Sequence, residues 1–256
     1  MTNETEIHVE ATPPQHPISR LALLALGVAI IAMLLGVMSG LGYRWGLWGL
    51  STGFQLLRWG AYAGIAAAVL GAVAVIVTRP GSSRRGFVPA FAALAIGLLA
   101  VGIPWQARRA GAGVPPIHDI TTDVNNPPAF VTIAPIRADA PNPVEYAGAE
   151  IARQQQQAYP DLQPVLLDLP IDRAFQRALD IARAQGWAIV DANLAEGRIE
   201  ATDRTFWFGF YDDVVIRLTP VEGRTVVDVR SKSRVGRSDL GVNARRIRAY
   251  LQAVQT

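Results

Sequence analysis

The chain has 256 residues, half of them hydrophobic, with 24 basic and 21 acidic side chains and no cysteine. The lack of cysteine excludes disulfides and thiolate metal sites. The net charge of +3 does not indicate a nucleic-acid partner, because arginines that flank apolar segments account for the excess.

Three uncharged segments in the first half of the chain predict transmembrane helices. Arginines bound uncharged runs of 23, 20 and 22 residues between Arg20 and Arg109, and this region holds no acidic residue. A helix needs about 20 such residues to cross a bilayer. The sequence therefore predicts a membrane anchor (20–105) after an acidic, disordered tail (1–19). The spans are expected at about 21–43, 57–78 and 86–105.

Two alternatives to this anchor are weaker. Buried helices of a soluble protein rarely stay uncharged on every face for six turns. A cleavable signal peptide is disfavoured for the first run, because Glu4, Glu6 and Glu10 precede it and no small-x-small cleavage site clearly follows. Small residues in the second run also favour close helix contacts in lipid.

The number of arginines does not determine the membrane orientation, because the predicted spans leave four arginines on each side of the membrane. Two spans separate Arg20 from the short loop TRPGSSRRG, so these two segments share a side. The density of arginine in that loop favours its cytoplasmic placement. The C-terminal half would then be periplasmic, on a bacterial inner membrane. Tryptophans are expected in the headgroup layer on the opposite side, where the connection 44–58 should lie in the interface: Trp45, Trp48, Trp59 and Trp105.

The second half of the chain predicts a soluble α+β domain (131–256) after a Gly- and Pro-rich linker (106–130). A polar helix is expected near 144–158. LQPVLLDL then predicts a strand, and PIDRAFQRALDIARAQG predicts an amphipathic helix. Four strands and a last helix, with Ser238 or Asp239 as N-cap, complete the order β-α-β-β-β-β-α. This order is typical of a two-layer domain with an antiparallel sheet and helices packed on one face.

Several motifs of this half resemble an uncharacterised bacterial and plastid family, the domain of unknown function 1499. The motifs are HDITTD followed by PPAF, YPDLQP, AFQRALDIARAQGWAIV, GRIEAT, WFGFYDDVVIR and DVRSKSRVGRSDLGVNARRIR. The resemblance covers about residues 118–256 in the expected order. It implies a version of that domain carried on a membrane anchor, and it implies no particular activity.

Residue types for metal or covalent chemistry are sparse. His8 and His16 lie in the N-terminal tail, so a metal site would depend on His118, Asp119 and Asp123. We expect these three residues to form turns instead. The sequence also lacks a cysteine nucleophile, a GxSxG elbow, a P-loop and a GxGxxG motif. No cofactor and no metal are therefore predicted.

TFWFGFYDDVVIR, residues 205–217, holds five aromatic rings and does not alternate as a half-buried strand should. Core packing can absorb two or three of these rings. Trp207 and Phe208 are therefore candidates for contact with a ligand, with lipid or with a membrane protein.

Two adjacent carboxylates follow the rings. Neighbouring strand residues point to opposite faces, so Asp212 and Asp213 should not converge on one substrate atom. We expect them to cap a turn or to pair with Arg217 and Arg230.

A basic strand face offers a surface for an anion. Arg230, Lys232 and Arg234 alternate along VDVRSKSR, and a helix N-terminus near Asp239 and Asn243 follows. The ligand would be a phosphate or a lipid headgroup. Alternatively, and in preference, this face neutralises acidic residues earlier in the domain, including Asp203, Asp212 and Asp213.

These patterns favour a non-enzymatic, membrane-anchored module that binds an anionic small molecule, a lipid or an envelope protein. The alternative is a hydrolase or another enzyme. Its chemistry would use Asp212 and Asp213 together with Arg217, Arg230 and Arg234.

Overall fold

A computed structural model describes residues 17–256, which form two compact units. The first unit comprises the chain up to Ser39 and Gly49–Trp105, and the second comprises Gly40–Trp48 and Gln106–Thr256. Residues 1–16 of the predicted tail, which include His8 and His16, lie outside the described residues.

Three long apolar helices precede the domain, as predicted: α1 (Arg20–Arg44), α2 (Leu50–Val77) and α3 (Phe87–Ala110). Each is long and apolar enough to cross a membrane. The second helix begins at Leu50, earlier than expected, because LSTGFQLLR contains no proline and its single glycine, Gly53, is tolerated within a helix. The connection between the first two helices is therefore short.

Small residues form the contacts among these helices. Ala25 of α1, Ala67 of α2 and Ala93 of α3 pack in one buried cluster. A methyl group on Gly97 would lie 2.7 Å from the carbonyl oxygen of Gly64. Such close approach of backbones is typical of helices that associate in lipid.

The loop between α2 and α3 pairs with the chain just before α1. Ile18 and Arg85 form a β-bridge, and the Ser19 N–H donates to the Arg85 carbonyl at 2.9 Å. These two segments therefore lie at the same end of the helices, as three spans require.

The C-terminal domain is built on a six-stranded antiparallel sheet. The spatial order is β1-β6-β5-β4-β3, and β2 also pairs with β6. The strands are β1 (Asp119–Thr121), β2 (Val165–Leu167), β3 (Ala188–Asn193), β4 (Arg198–Arg204), β5 (Tyr211–Val221) and β6 (Arg224–Ser233).

Two long helices cover one face of this sheet and confirm the two-layer α+β class. The core between them and the sheet includes Ala178, Ile216, Val229 and Ile247. The predicted order β-α-β-β-β-β-α is observed from β2 to the last helix. The helices of the domain are α4 (Ile133–Ile136), α5 (Ala149–Ala158), α6 (Ile171–Ala184) and α7 (Val242–Gln255).

Parts of the predicted linker (106–130) form regular secondary structure. Its first residues continue α3 to Ala110, and β1 lies inside it. This strand forms because Ile120 is buried in the core while its neighbours pair with β6. The predicted polar helix is also shorter than expected, since Gly148, with φ of 85°, precedes its first residue Ala149.

The opposite face of the sheet carries buried charged side chains. Residues 123–146, here called the covering segment, contact this face. Phe130 and Ile133 of the segment pack on Val215 of β5. The segment also forms hydrogen bonds and ion pairs with charged side chains of the sheet.

Candidate functional site

Asp213 is fully buried on the covered face and accepts four hydrogen bonds. Arg137 Nη1 donates at 3.1 Å, and Arg234 Nε and Nη2 each donate at 2.8 Å. Thr202 Oγ1 donates at 2.7 Å. Burial lowers the pKa of Arg137 despite this carboxylate, whereas hydrogen bonding to Asp213 raises the pKa of Arg234.

Asp119 pairs with both of the other basic residues of the same strand face. It accepts from Arg230 Nε at 2.9 Å and Arg230 Nη2 at 2.8 Å, and Lys232 Nζ lies 2.9 Å away. Lys232 also donates to the Glu145 carbonyl at 2.5 Å. The basic face exists as predicted, but internal carboxylates and carbonyls occupy Arg230 and Lys232. Neither side chain is available to an external anion.

Asp212 points to the helix-covered face, opposite to Asp213, as predicted. It accepts from Arg246 Nη2 of α7 at 2.7 Å. The expected pairing with Arg217 and Arg230 is wrong. Arg217 instead pairs with Asp228 at 2.9 Å, and it also contacts Asp123. These residues therefore do not form one catalytic group.

The start of α7 is occupied by a carboxylate of the chain itself. Asp239 Oδ1 accepts from the Gly241 N–H at 2.7 Å, and its Oδ2 accepts from the Asn243 N–H at 2.9 Å. Gly241 takes the N-cap position that was predicted for Ser238 or Asp239. The Asn243 side chain is buried and hydrogen-bonded, so this helix start has no room for an external anion.

The three residues considered for a metal do not converge. His118 Nδ1 lies 3.3 Å from the Arg237 carbonyl, Asp119 pairs with basic residues, and Asp123 accepts from the backbone of Asn125 at 3.1 Å. Within residues 17–256, no group of three His, Asp or Glu side chains is placed to hold a metal ion.

The aromatic run forms a hairpin loop, Thr205–Phe210, here called the aromatic loop. Its base is closed by the Thr205 N–H donating to the Phe210 carbonyl at 2.9 Å and by the Phe210 N–H donating to Thr205 Oγ1 at 2.8 Å. Phe208 is buried and stacks on Phe210 with ring centroids 5.2 Å apart. Both rings also contact Tyr43, near the end of α1.

A cleft of about 500 Å³, here called the arginine cleft, opens beside the aromatic loop. Four arginines from distant parts of the chain line it, together with Tyr211. Among the described lining residues Asp139 is the single carboxylate. The four arginines are Arg44, Arg137, Arg204 and Arg234.

Tyr211 holds two of these arginines in place. The guanidinium of Arg204 lies 4.9 Å from its ring centroid and that of Arg234 lies 5.2 Å from it. Such cation–π contacts orient a guanidinium without neutralising it.

The side chains of Arg44 and Arg204 donate hydrogen bonds to backbone carbonyls. Arg44 Nη1 donates to the Phe206 carbonyl at 2.5 Å, and Arg204 Nη2 donates to the Arg44 carbonyl at 3.2 Å. Within the described part of the chain, neither arginine forms a salt bridge. In addition, Arg137 Nε is buried with no hydrogen-bond partner among the described residues.

Comparison with known families agrees with the resemblance inferred from the motifs. The family model described as "Protein of unknown function (DUF1499)" matches residues 119–254, more than half of the chain. The chain belongs to the DUF1499 family. The match begins after the three apolar helices, so the membrane anchor lies outside it. No curated protein matches the chain.

Of the residues that line the cleft of this DUF1499 domain, only Phe208 and Arg234 are among the site residues predicted from the sequence. Arg204 is not among them, although it directly precedes the aromatic run. Arg44 is not among them either, because in the sequence it only flanks the first span. Arg137 lies in a segment without a periodic pattern, so no sequence signal pointed to it.

Proposed function

We propose that this membrane-anchored DUF1499 domain binds a phosphate-bearing ligand in the arginine cleft. The observation that supports the proposal is the charge of the cleft: four lining arginines face one lining carboxylate, Asp139. Asp213 neutralises part of this charge through Arg137 and Arg234, but a net positive charge remains. Planar guanidinium groups bind phosphate oxygens in bidentate pairs, which makes phosphate a chemically matched ligand.

The phosphate can come from two sources with the same chemistry. Arg44 ends α1 after an uncharged run, and arginines that flank a membrane span favour the level of the lipid headgroups. An anionic phospholipid headgroup would therefore reach it directly. A soluble phosphorylated molecule would present the same oxygens to Arg204 and Arg234.

The proposal includes a bacterial inner membrane with the domain on the periplasmic side. Three membrane spans would put the end of α1 and the end of α3 on one side of the membrane, and the arginine-rich loop between α2 and α3 on the other. Reporters active only inside or only outside the cytoplasm, fused after Thr256, test this orientation. A cytoplasmic C-terminus would overturn it and would make soluble phosphorylated metabolites the first ligands to examine.

The enzymatic alternative has less support. Asp212 and Asp213 lie on opposite faces of the sheet, and each is held in a salt bridge. Arg217 and Arg230 are paired with other carboxylates. These side chains therefore do not surround one position that a substrate atom could occupy, as such a mechanism would require.

Binding is tested on the full-length protein in phosphatidylcholine nanodiscs. Calorimetric titration with inorganic phosphate and with glycerol phosphate examines soluble ligands. Nanodiscs that contain phosphatidylglycerol, followed by mass spectrometry of retained lipid, examine the headgroup. Binding in the first arm identifies a soluble ligand, and selective retention in the second identifies a lipid.

Two variants with opposite expected effects make the test specific. Arg204→Gln removes a charged donor and should weaken binding about tenfold or more, since a hydrogen bond to a charged group contributes about 1.5–3 kcal/mol. Asp139→Asn removes the lining carboxylate and should strengthen binding. Exposed residues of α6 provide matched controls, Arg183→Gln and Asp180→Asn, which should change neither the phosphate affinity nor the retention of lipid. The absence of binding in both arms, or equal binding by all variants, would contradict the proposal.

A further inference from the structure

The tip of the aromatic loop exposes a large apolar side chain. Phe206 is 87% exposed, the highest value for a large hydrophobic residue among residues 17–256, including those of the three apolar helices. A phenylalanine at the tip of a six-residue loop has no core to fill at that position. Large exposed apolar groups on a membrane-anchored domain indicate a contact surface.

The loop is attached to the end of α1. Trp207 packs directly against Gly40, where even a methyl group would overlap the indole ring. Gly40 lies four residues before Arg44, so Trp207 contacts the helix about 6 Å before its last residue. Arg44 Nη1 also donates to the Phe206 carbonyl at 2.5 Å. The loop is therefore held at the point where α1 leaves its uncharged run.

The residues around this point have the composition of a membrane interface. Trp45 and Leu47, which directly follow α1, are 61% and 62% exposed. The segments 40–48 and 204–211 contain aromatic residues and two arginines, and neither contains an acidic residue. Aromatic rings with basic side chains are the residue types that favour the headgroup layer.

We infer that the aromatic loop inserts Phe206 into the interfacial layer of the bilayer that α1 crosses. The bilayer is its partner, because the loop is fixed to the end of a helix whose length and hydropathy suit a membrane span. This inference does not depend on phosphate binding, since it concerns the loop tip and not the cleft.

The chain has no cysteine, so single cysteines can be introduced and labelled in the full-length protein without background. Phe206→Cys is labelled with the environment-sensitive fluorophore NBD in phosphatidylcholine nanodiscs. Quenching is then measured with lipids that carry a spin label near the headgroup end of the acyl chain. Leu47→Cys serves as the reference beside α1. Thr219→Cys is the matched control, an exposed position about 25 Å further along β5.

The expected result is strong quenching and blue-shifted emission at position 206, comparable with position 47, and little quenching at position 219. Because the Phe206 side chain is exposed, the substitution should not disturb folding, which circular dichroism of the labelled protein verifies. Quenching at position 206 as weak as at position 219 would overturn the inference. Quenching at all three positions would also overturn it, because the domain would then lie on the membrane without a specific insertion by the loop.

Discussion

Arg137 Nη1 lies 3.1 Å from Asp213 Oδ2, and both side chains are completely buried. The arginine belongs to the covering segment and the aspartate to β5, so this pair ties the segment to the sheet. A buried ion pair contributes little net stability, because each charge has lost its hydration. Removing one partner is costly, because the other charge then remains buried alone.

Asp213→Asn should therefore destabilise the domain strongly. The substitution leaves Arg137 and Arg234 without their shared carboxylate, and the free energy of unfolding should fall by about 3–5 kcal/mol. Denaturant unfolding of the full-length protein in detergent measures the change. Asp180→Asn breaks an exposed pair with Arg183 and should cost less than about 1 kcal/mol. Equal losses for both variants would contradict this account of the buried pair.

Glu200 of β4 caps the start of α4 with its side chain. Its fully buried carboxylate accepts from the backbone N–H groups of Val131, Thr132 and Ile133 at 2.7, 3.1 and 2.7 Å. It also pairs with Arg198. Glu200→Gln removes the charge from these hydrogen bonds, and charged hydrogen bonds are roughly twice as strong as neutral ones.

Hydrogen exchange measured by mass spectrometry should show the consequence locally. In Glu200→Gln, amides of residues 131–137 should exchange faster, while those of α6 should be unchanged. The control is Glu196→Gln in the turn before β4, because its half-exposed carboxylate also pairs with Arg198. Uniformly faster exchange would indicate global destabilisation instead of a local loss of the cap.

The elements that sequence analysis predicted are those with local signals. The uncharged runs predicted α1 to α3, and the apolar stripe of α6 predicted a helix whose Ala174, Phe175, Ala178 and Leu179 are all buried. Each signal lies within one element, where residues three or four apart share a face. Such patterns are readable without knowledge of tertiary contacts.

The site could not be predicted in this way, because its contacts join distant residues. Asp119 and Arg230 are 111 residues apart, and Arg44 and Phe206 are 162 apart. The basic strand face was identified correctly, but its counter-ions depend on where β1 pairs. A three-residue strand in a Gly- and Pro-rich stretch carries no periodic signal of its own.

Tyr146 should lose its proton at a higher pH than an ordinary tyrosine. Burial, with a smaller contribution from the Asp119 carboxylate, raises its pKa to about 12, and its hydroxyl has no hydrogen-bond partner among the described residues. The folded pKa exceeds the unfolded value of about 10, so the folded state retains this proton longer. The contribution of Tyr146 to stability therefore falls as pH rises from 10 to 12.

Comparison of the parent protein with the variant Tyr146→Phe isolates the titration of Tyr146. The difference in tyrosinate absorbance at 295 nm between the parent and this variant should have its midpoint near pH 12, and near 10 when both are measured in denaturant. At neutral pH the variant should be at least as stable as the parent, since it removes a buried hydroxyl without a partner. A midpoint near 10 in the folded protein would show that the hydroxyl reaches water.

Gly209 and Gly223 share a backbone conformation but differ in what surrounds them. Their φ angles are 69° and 78°, a region in which an alanine is strained by about 1–2 kcal/mol. A methyl group on Gly223 would meet nothing within 4 Å. On Gly209 it would lie 2.8 Å from Arg44 Cγ and 3.1 Å from Arg204 Nε, so these side chains would have to move.

Gly209→Ala and Gly223→Ala therefore separate backbone strain from the geometry of the arginine cleft. Gly223→Ala should lose about 1–2 kcal/mol of unfolding free energy through backbone strain, and Gly209→Ala should lose at least as much, because Arg44 and Arg204 must also move. Only Gly209→Ala should weaken phosphate binding. Calorimetric titration of the two full-length variants in nanodiscs makes the comparison. If they bind phosphate equally well, the positions of Arg44 and Arg204 set by the aromatic loop do not determine affinity, and binding would depend on Arg137 and Arg234 instead.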